Sequence, residues 1–368
     1  MPDGAPLFPA CRTHLDELSD EMGIFQHAVG PRPDPRHGYC TDDVARALLV
    51  DLLHARELGW PAVESSVERG MRFLAQAFEP STGRFRNFRR ADGSWLDEPG
   101  SEDAHARALL ALGESVAGLP DGRLLEAAGE LFERALPAAL QLGYVRPRAA
   151  VVLACDAADR GGLGAGALKA CRSAADSISC TFGRAELDAG WPWPEPAVTY
   201  ENGLPAQALV VAGRTLDRPE MIDLGLRLLD WLLEHETDAA GHLVPVGNRG
   251  WWPRGGAPAR FDQQPIEATS LLLAAAAGYD ASGNRRYLEA MEMAYAWYLG
   301  ANDVGVAVAE PDRGAAFDGL TPAGVNENQG AESTLVWLMA LEGTRRHRQS
   351  SGAPPAREPA AAATGAAR

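Results

Sequence analysis

The chain has 368 residues, a formal net charge of −16 and a hydrophobic content of 46%. This hydrophobic content supports a large core, and single toroids and barrels reach this length. Nucleic acid is excluded as a partner, because a polyanion would be repelled by the acidic chain.

The five cysteines and eight histidines show no spacing typical of a disulfide framework or a zinc site. No Cys-x-x-Cys and no His-Glu-x-x-His sequence occurs. We therefore expect reduced, buried thiols, and we predict neither a metal nor a cofactor. Calcium held by loop carboxylates is the one alternative left open.

The two ends differ in composition from the body of the chain. Residues 1–10 are rich in proline and alanine, and residues 345–368 are a low-complexity segment that cannot bury apolar surface. Both are expected to be disordered, which leaves one domain over residues 11–344. Residues 1–9 do not have the pattern of a signal peptide, and the longest apolar run, residues 271–279, is too short to span a bilayer. We therefore predict no membrane partner and a cytoplasmic location.

Two kinds of segment alternate along the body. Amphipathic segments with one polar face begin at residues 11–21 and recur, for example at 63–78 and 287–298. The others are apolar nearly all round, and a helix without a polar face must be enclosed by other helices. The enclosed segments are residues 45–53, 106–112, 149–154, 206–212, 270–278 and 335–341.

The alternation occurs six times, with a period of about 50 to 60 residues, which fits one helical hairpin and one long loop. Six outer helices around six enclosed inner helices form an all-α fold, the (α/α)6 toroid. Strand signals are sparse, and residues 84–88 and 243–246 are predicted as short hairpin arms in loops.

A local repeat supports this arrangement, since residues 42–49 align with residues 103–110. Each copy begins an inner helix and has an aspartate four residues before an arginine. We expect these aspartates, Asp42 and Asp103, to form ion pairs with Arg46 and Arg107 within their own helices.

Long segments precede five of the inner helices, whereas the turns into outer helices are short. The long segments must lie at one end of the toroid, because all of them precede inner helices. Long loops on a rigid scaffold are where sites are built. They are residues 37–43, 90–103, 191–203, 246–267 and 317–333.

Five of the nine tryptophans lie in these segments, among carboxylates, amides and arginines. Flat aromatic rings stack on the apolar faces of sugars, and polar groups bind the hydroxyls, so we predict a carbohydrate-binding cleft. The alternative is that the tryptophans only pack the loops onto the barrel. The predicted substrate-binding residues are Tyr39, Trp95, Asp103, Trp191, Trp193, Tyr200, Asn202, Trp251, Trp252, Arg260, Asp262, Gln263, Gln264, Asn326, Asn328 and Gln329.

Three carboxylates are candidates for catalysis, since hydrolysis of a glycosidic bond needs two acids in different environments. Glu201 follows a Trp-Pro-Trp-Pro loop, and dry aromatic surroundings would raise its pKa, as suits a general acid. Its alternative role is that of a helix-start residue. Asp43 has no acidic counterpart in the second copy of the repeat, so it is the freer carboxylate and a candidate base. Glu327, among amide side chains before the last inner helix, is the other candidate.

The sequence resembles the six-hairpin glycosidase-like superfamily, and within it bacterial proteins found beside glycosyltransferases or glycoside phosphorylases. The resemblance implies an (α/α)6 fold with an acidic cleft at the loop end. Most members hydrolyse glycosidic bonds, often with inversion, and others are phosphorylases, lyases or sugar epimerases. The matching segments are residues 23–28, 37–48, 100–113, 191–209, 260–268 and 297–335.

We therefore predict a glycoside hydrolase, inverting at the anomeric carbon, that acts on an oligosaccharide or polysaccharide. A phosphorylase is one alternative, with Arg249, Arg254 and Arg260 available for phosphate. A lyase or epimerase would use Tyr39, Tyr200 or His105 to remove a proton next to a carboxylate. A non-catalytic sugar-binding module of a glycosyltransferase system is the third alternative. The oligomeric state and the identity of the sugar are not predicted.

Overall fold

The computed structural model describes residues 4–186, 188 and 190–350. None of the helices in these ranges is long and apolar enough to cross a membrane. The helices are α1 (Thr13–Glu17), α2 (Thr41–Leu58), α3 (Glu64–Ala77), α4 (Glu102–Gly118), α5 (Arg123–Ala139), α6 (Val145–Arg160), α7 (Ala165–Ala185), α8 (Gly203–Thr215), α9 (Pro219–His235), α10 (Pro265–Ser282), α11 (Arg285–Tyr298) and α12 (Ala331–Ser350).

The even-numbered helices form a closed inner ring. Each contacts the next even-numbered helix along the chain, and α12 contacts α2, which closes the ring. The outer helices α3, α5, α7, α9 and α11 each pack on the inner helix that precedes them, and the short α1 packs on α12. The predicted (α/α)6 toroid is therefore confirmed, and each enclosed segment predicted from the sequence lies in an inner helix.

Glycines allow the inner helices to approach one another closely. A Cβ atom on Gly113 of α4 would lie 2.3 Å from the carbonyl oxygen of Ala154 in α6. The same distance separates a Cβ on Gly203, at the start of α8, from the carbonyl oxygen of Ser270 in α10. Larger side chains would push these helices apart, since a packed core has no room to absorb them.

Short strands in the loops form two-stranded antiparallel pairs. The region predicted at residues 84–88 contains two strands with different partners, whereas the strand predicted at residues 243–246 is wrong: only Leu243 forms a bridge, to Thr237. The Val244 amide there donates to the carbonyl oxygen of Glu236, the residue that follows α9, and the chain continues as a loop. The strand pairs are β1 (Ala28–Val29) with β2 (Arg32–Pro33), β3 (Tyr39–Cys40) with β6 (Phe88–Arg89), β4 (Phe78–Glu79) with β5 (Arg84–Phe85), β7 (Ala197–Val198) with β8 (Trp252–Pro253), β9 (Ala309–Glu310) with β10 (Ala315–Ala316), and β11 (Leu320–Thr321) with β12 (Gly324–Val325).

The last helix continues beyond the boundary expected at residue 345 and ends at Ser350. Arg345 lies inside it and donates to Glu342 at 2.8 Å. Near the N-terminus of the chain, the carbonyl oxygen of Pro6 accepts a hydrogen bond from the hydroxyl of Tyr295 at 2.9 Å. The segment before α1 therefore packs against α11. The remainder of the predicted tail, residues 351–368, and residues 1–3 lie outside the described residues.

Candidate active site

A cavity of about 420 Å³ lies at the end of the toroid where the inner helices begin. Its size is within the range of small-molecule sites. Among the described residues that line it, Arg46 is the one arginine or lysine and His27 the one histidine. The lining is acidic, because five carboxylates belong to it: Asp42, Asp43, Asp262, Asp318 and Glu332.

Asp43 is the most deeply buried of these carboxylates, with 3% of its surface exposed. It lies in the first turn of α2, where Oδ1 accepts a hydrogen bond from Arg46 at 2.9 Å and Oδ2 accepts one from the thiol of Cys40 at 3.0 Å. Burial raises the pKa of Asp43 to about 6, against the opposing charge of Arg46. The carboxyl group can therefore hold a proton close to neutral pH at the wall of the cavity.

The ion pair predicted within α2 is wrong. Arg46 contacts Asp43 instead of Asp42, and its other terminal nitrogen lies 2.8 Å from Glu332 in the first turn of α12. Asp43 is therefore not the freer carboxylate, since it shares one guanidinium with Glu332. The arginine extends into the ring, where it pairs with carboxylates from two helices: Asp43, which is buried, and Glu332, whose side chain is 42% exposed.

The ion pair predicted within α4 is also wrong. Arg107 Nε lies 3.1 Å from Asp42, and Nη1 donates to Glu201 Oε1 at 2.9 Å while Nη2 contacts the other oxygen of the same carboxylate. Asp103 instead accepts a hydrogen bond from the hydroxyl of Tyr200 at 3.1 Å. Arg107 thus reaches carboxylates outside its own helix, whereas Arg46 both bridges one turn of α2 to Asp43 and reaches Glu332 of α12.

Glu201 is buried, and its carboxylate is occupied by Arg107. Burial alone would raise the pKa of Glu201, but the charge and hydrogen bonds of Arg107, together with the charges of Arg46 and Arg146, bring this pKa below its ordinary value. The expectation of a raised pKa is therefore wrong, because guanidinium groups stand where aromatic surroundings were expected. Glu201 is ionised at neutral pH, and the described cavity lining does not include it.

Glu327 lies on the exposed side of the loop before α12, and the described cavity lining does not include it either. Its neighbour Asn326 does line the cavity. Of the other predicted substrate-binding residues, Asp262 and Gln264 also line the cavity. These three side chains come from the segments before α10 and α12, as the loop argument predicted.

The tryptophans pack the loops onto the barrel, which is the alternative stated above. Trp191, Trp193 and Trp252 are at most 8% exposed, and each lies in ring contact with Trp231 of α9. Arg89 covers the ring of Trp95 at 5.2 Å from its centroid. Trp251 is partly exposed, and like the other four it is not among the described residues that line the cavity. The prediction that these rings stack on sugar is therefore not supported, because packing already covers the faces of most of them.

The remaining predicted polar residues are used in structural hydrogen bonds and do not belong to the described lining. Their partners hold loops and helix ends in place. They are Tyr39 with Asp20, Asp103 with Tyr200, Asn202 with Glu267, Arg260 and Gln263 with Asp303, Asn328 with Gly30, and Gln329 with Glu310.

Sequence reasoning missed several residues of the cavity. Asp318 accepts a hydrogen bond from the Gly330 amide at 2.8 Å, and burial raises its pKa. Asp318 could have been predicted from its position in the long segment before α12. His27 and Phe88 lie outside the long segments, His27 directly before β1 and Phe88 in β6, so the same argument could not identify them. Cys40 immediately precedes α2 and was interpreted only as a buried thiol.

Glu267 holds the turn that carries Glu201. It is fully buried in the first turn of α10 and accepts hydrogen bonds from the Glu201 amide at 2.6 Å and from the side chain of Asn202 at 3.1 Å. Glu201 has a φ of 52°, a left-handed conformation that a residue with a side chain adopts only when its surroundings enforce it. Burial raises the pKa of Glu267 to about 8, although hydrogen bonds from the backbone amides of Glu201 and Asn202 lower it.

This raised pKa predicts that stability falls as pH rises. Between the ordinary pKa of 4.5 and about 8, the folded chain keeps a proton on Glu267 that the unfolded chain has lost. The contribution is therefore complete below pH 4.5 and disappears as pH rises through 8, at a slope of about 1.4 kcal/mol per pH unit. We expect Glu267→Gln to remove this part of the slope, measured by urea unfolding at several pH values between about 5.5 and 7.5. A variant with the same slope as the wild type would show that Glu267 does not bind the proton.

Comparisons with known proteins identify the fold. No protein-family model matches the sequence, and no curated protein matches it significantly. A solved D-mannose isomerase is 14% identical with a TM-score of 0.67, covering 91% of this chain and 95% of its own. Cellobiose 2-epimerase from Spirochaeta thermophila is 15% identical with a TM-score of 0.67, over 92% and 93% of the two chains. A GH76 α-mannanase from Bacteroides thetaiotaomicron is 10% identical with a TM-score of 0.60, over 93% and 96%.

These similarities confirm the fold that the sequence resemblance implied. The chain has the (α/α)6 toroid fold that these solved structures share. Structures with this fold include both glycoside hydrolases and sugar epimerases. The choice between these chemistries therefore has to be argued from the cavity, because a fold does not determine a reaction.

Proposed function

We propose that the protein is a glycoside hydrolase in which Asp43 is the general acid. The observation that carries this proposal is a buried carboxyl group, with a pKa of about 6, that lines an acidic cavity. A general acid is most effective when its pKa lies near the working pH. The similar structures are sugar-acting enzymes by name, which supports a carbohydrate substrate by analogy.

We assign Asp262 as the general base. It reaches the cavity from the segment before α10, and α12 separates α10 from the helix that carries Asp43. Its side chain is 28% exposed, so the carboxylate is partly accessible to water, although Oδ2 lies 3.4 Å from Arg249. Carboxylates on separate walls of a cavity leave room for both sugar and water, as inversion requires.

The proposed reaction is a single displacement. Asp43 donates its proton to the glycosidic oxygen as the bond from this oxygen to the anomeric carbon breaks. Water attacks the anomeric carbon from the opposite face and gives a proton to Asp262. Arg46, bonded to Asp43 at 2.9 Å, stabilises the carboxylate that the transfer leaves behind. Exchange with solvent then returns Asp43 to the acid form and Asp262 to the base form.

A phosphorylase receives less support from the arrangement of the arginines. Arg249 faces Asp262 at 3.4 Å and Arg260 contacts Asp303 at 2.5 Å. Arg254 forms an ion pair with Asp188. All three arginines that the sequence offered for phosphate therefore already have an acidic partner, and an added phosphate would have to displace it.

A sugar epimerase is the second candidate, and one observation favours it. His27 lines the cavity, and its ring lies 4.7 Å from that of His37 in an edge-on contact. An imidazole nitrogen can remove a proton from a sugar carbon and return it. Such chemistry would change the configuration of a sugar carbon without breaking a glycosidic bond.

The test is incubation with short α- and β-linked glucans and mannans, with and without phosphate, followed by NMR spectroscopy of the products. We expect new reducing ends without phosphate, and a first-formed anomer opposite to that of the substrate. Sugar phosphates formed only with phosphate would contradict hydrolysis in favour of a phosphorylase. An epimerised sugar with its glycosidic bond intact would establish the second candidate.

The pH dependence of catalysis follows from the pKa of Asp43. The acid form is the active form, so kcat/KM should fall as pH rises through about 6, by about tenfold per pH unit above this value. Initial rates at low substrate concentration across the pH range measure this limb. A profile that stays flat from pH 5 to 8 would remove Asp43 from the role of proton donor.

A further inference from the structure

We infer that Phe88 is the surface on which a sugar ring stacks beside Asp43. The inference rests on the proposed function and assigns a specificity-determining residue to the same cavity. Phe88 is the one phenylalanine, tyrosine or tryptophan among the described residues that line the cavity, and it is 39% exposed. An exposed aromatic ring at a cavity wall is a surface that a ligand can cover.

Strand pairing places this ring next to the general acid. Phe88 is the direct partner of Cys40 in the antiparallel pair of β6 with β3. Directly opposed residues in such a pair have Cβ atoms about 4.5 to 5.5 Å apart. The thiol of Cys40 in turn donates to Asp43 at 3.0 Å. A sugar stacked on Phe88 would therefore lie within reach of the carboxyl group that donates the proton.

The strand that carries Phe88 is fixed at both edges. The carboxylate of Asp97 accepts hydrogen bonds from the amide of Phe88 at 2.8 Å and from that of Asn87 at 2.9 Å. On the other side, the Thr41 amide donates to the carbonyl oxygen of Asn87 at 2.9 Å. Because Thr41 is the first residue of α2, the ring and the acid are attached to the same helix start. A rigid platform loses little conformational entropy when a ligand binds.

The chemistry of the wall also indicates the kind of sugar. A phenyl ring contacts the C–H face of a pyranose, where apolar area is buried. The acidic groups of the cavity lining disfavour a uronic acid or a sugar phosphate, and the guanidinium of Arg46 already contacts Asp43 and Glu332. The substrate class that fits is therefore an uncharged pyranoside with one C–H face available for stacking.

The experiment compares Phe88→Ala, Phe88→Tyr and Leu96→Ala with the wild type. Leu96 is the matched control, because it is 49% exposed, donates its amide to the carbonyl oxygen of Phe88 at 2.9 Å and lies outside the described cavity lining. The probes are glucose, cellobiose and mannobiose, titrated by ligand-observed NMR. Near-ultraviolet circular dichroism verifies that each variant is folded.

Phe88→Ala should weaken binding of the best probe by roughly threefold to tenfold, whereas Phe88→Tyr and Leu96→Ala should stay within about twofold. Unchanged binding by Phe88→Ala, an equal loss in Leu96→Ala, or no binding of any probe to the wild type would overturn the inference. Turnover is scored separately from binding. If Phe88→Ala binds the probe more weakly but the wild type turns over no substrate, Phe88 stacks on sugar and the proposed hydrolase activity is wrong. If the wild type turns over substrate and Phe88→Ala leaves KM unchanged, the hydrolase proposal holds and the role of Phe88 is wrong.

Discussion

Replacing Asp43 with asparagine should lower kcat on an unactivated oligosaccharide by about 10²- to 10⁴-fold, the usual contribution of a positioned general acid. Asparagine keeps the shape of the side chain but cannot give up a proton to a leaving oxygen. Arg46 would retain Glu332, which lies 2.8 Å from its other nitrogen, so the variant leaves this arginine paired. Steady-state rates on the best substrate of the glycan panel measure the effect.

The leaving group supplies the diagnostic comparison. An aryl glycoside with an acidic phenol needs little protonation, so Asp43→Asn should lose much less activity on it than on the oligosaccharide. Asp121→Asn is the control, because Asp121 is exposed in the turn between α4 and α5. Equal losses on both substrates would mean that Asp43 serves in binding or folding instead of donating a proton.

The fold was predictable from sequence because the pattern of apolar and polar residues in each helix indicates whether it is enclosed or has one face in solvent. A segment such as residues 270–278, without a polar face, must be enclosed wherever it lies, and it does lie in α10 of the inner ring. Six such segments alternating with amphipathic ones leave few closed arrangements other than a toroid. The hydrophobic periodicity is a local property of the sequence, so it can be recognised without knowing which helices contact one another.

The site was less predictable because its properties depend on groups that are distant along the chain. Glu201 is bound by Arg107, which is 94 residues away, and this partner reverses the direction in which burial shifts its pKa. The local spacing rule pairs each arginine with the aspartate four residues before it, whereas both arginines also reach carboxylates outside their own helices. Phe88 could be recognised only once the register of β6 against β3 was known.

Replacing Arg107 with methionine should destabilise the fold by about 3 to 5 kcal/mol, the usual cost of removing one partner of a buried ion pair. Arg107 contacts Asp42 and Glu201, and its loss would leave both carboxylates without a charge partner. Urea unfolding followed by circular dichroism measures the change in the free energy of unfolding. Arg160→Met is the matched control: Arg160 also contacts two carboxylates, but it is 51% exposed, so its removal should cost less than about 1 kcal/mol.

A double variant separates lost charge compensation from lost packing. If the cost comes from an uncompensated carboxylate, Arg107→Met with Glu201→Gln should recover part of the stability that Arg107→Met loses alone. Without Arg107, burial becomes the dominant influence on Glu201 and its pKa should rise. The destabilisation by Arg107→Met should then be smallest at low pH, where Glu201 is neutral, and should grow as pH rises. A loss that is independent of pH and unchanged by Glu201→Gln would instead mean that Arg107 acts by filling space between the inner helices.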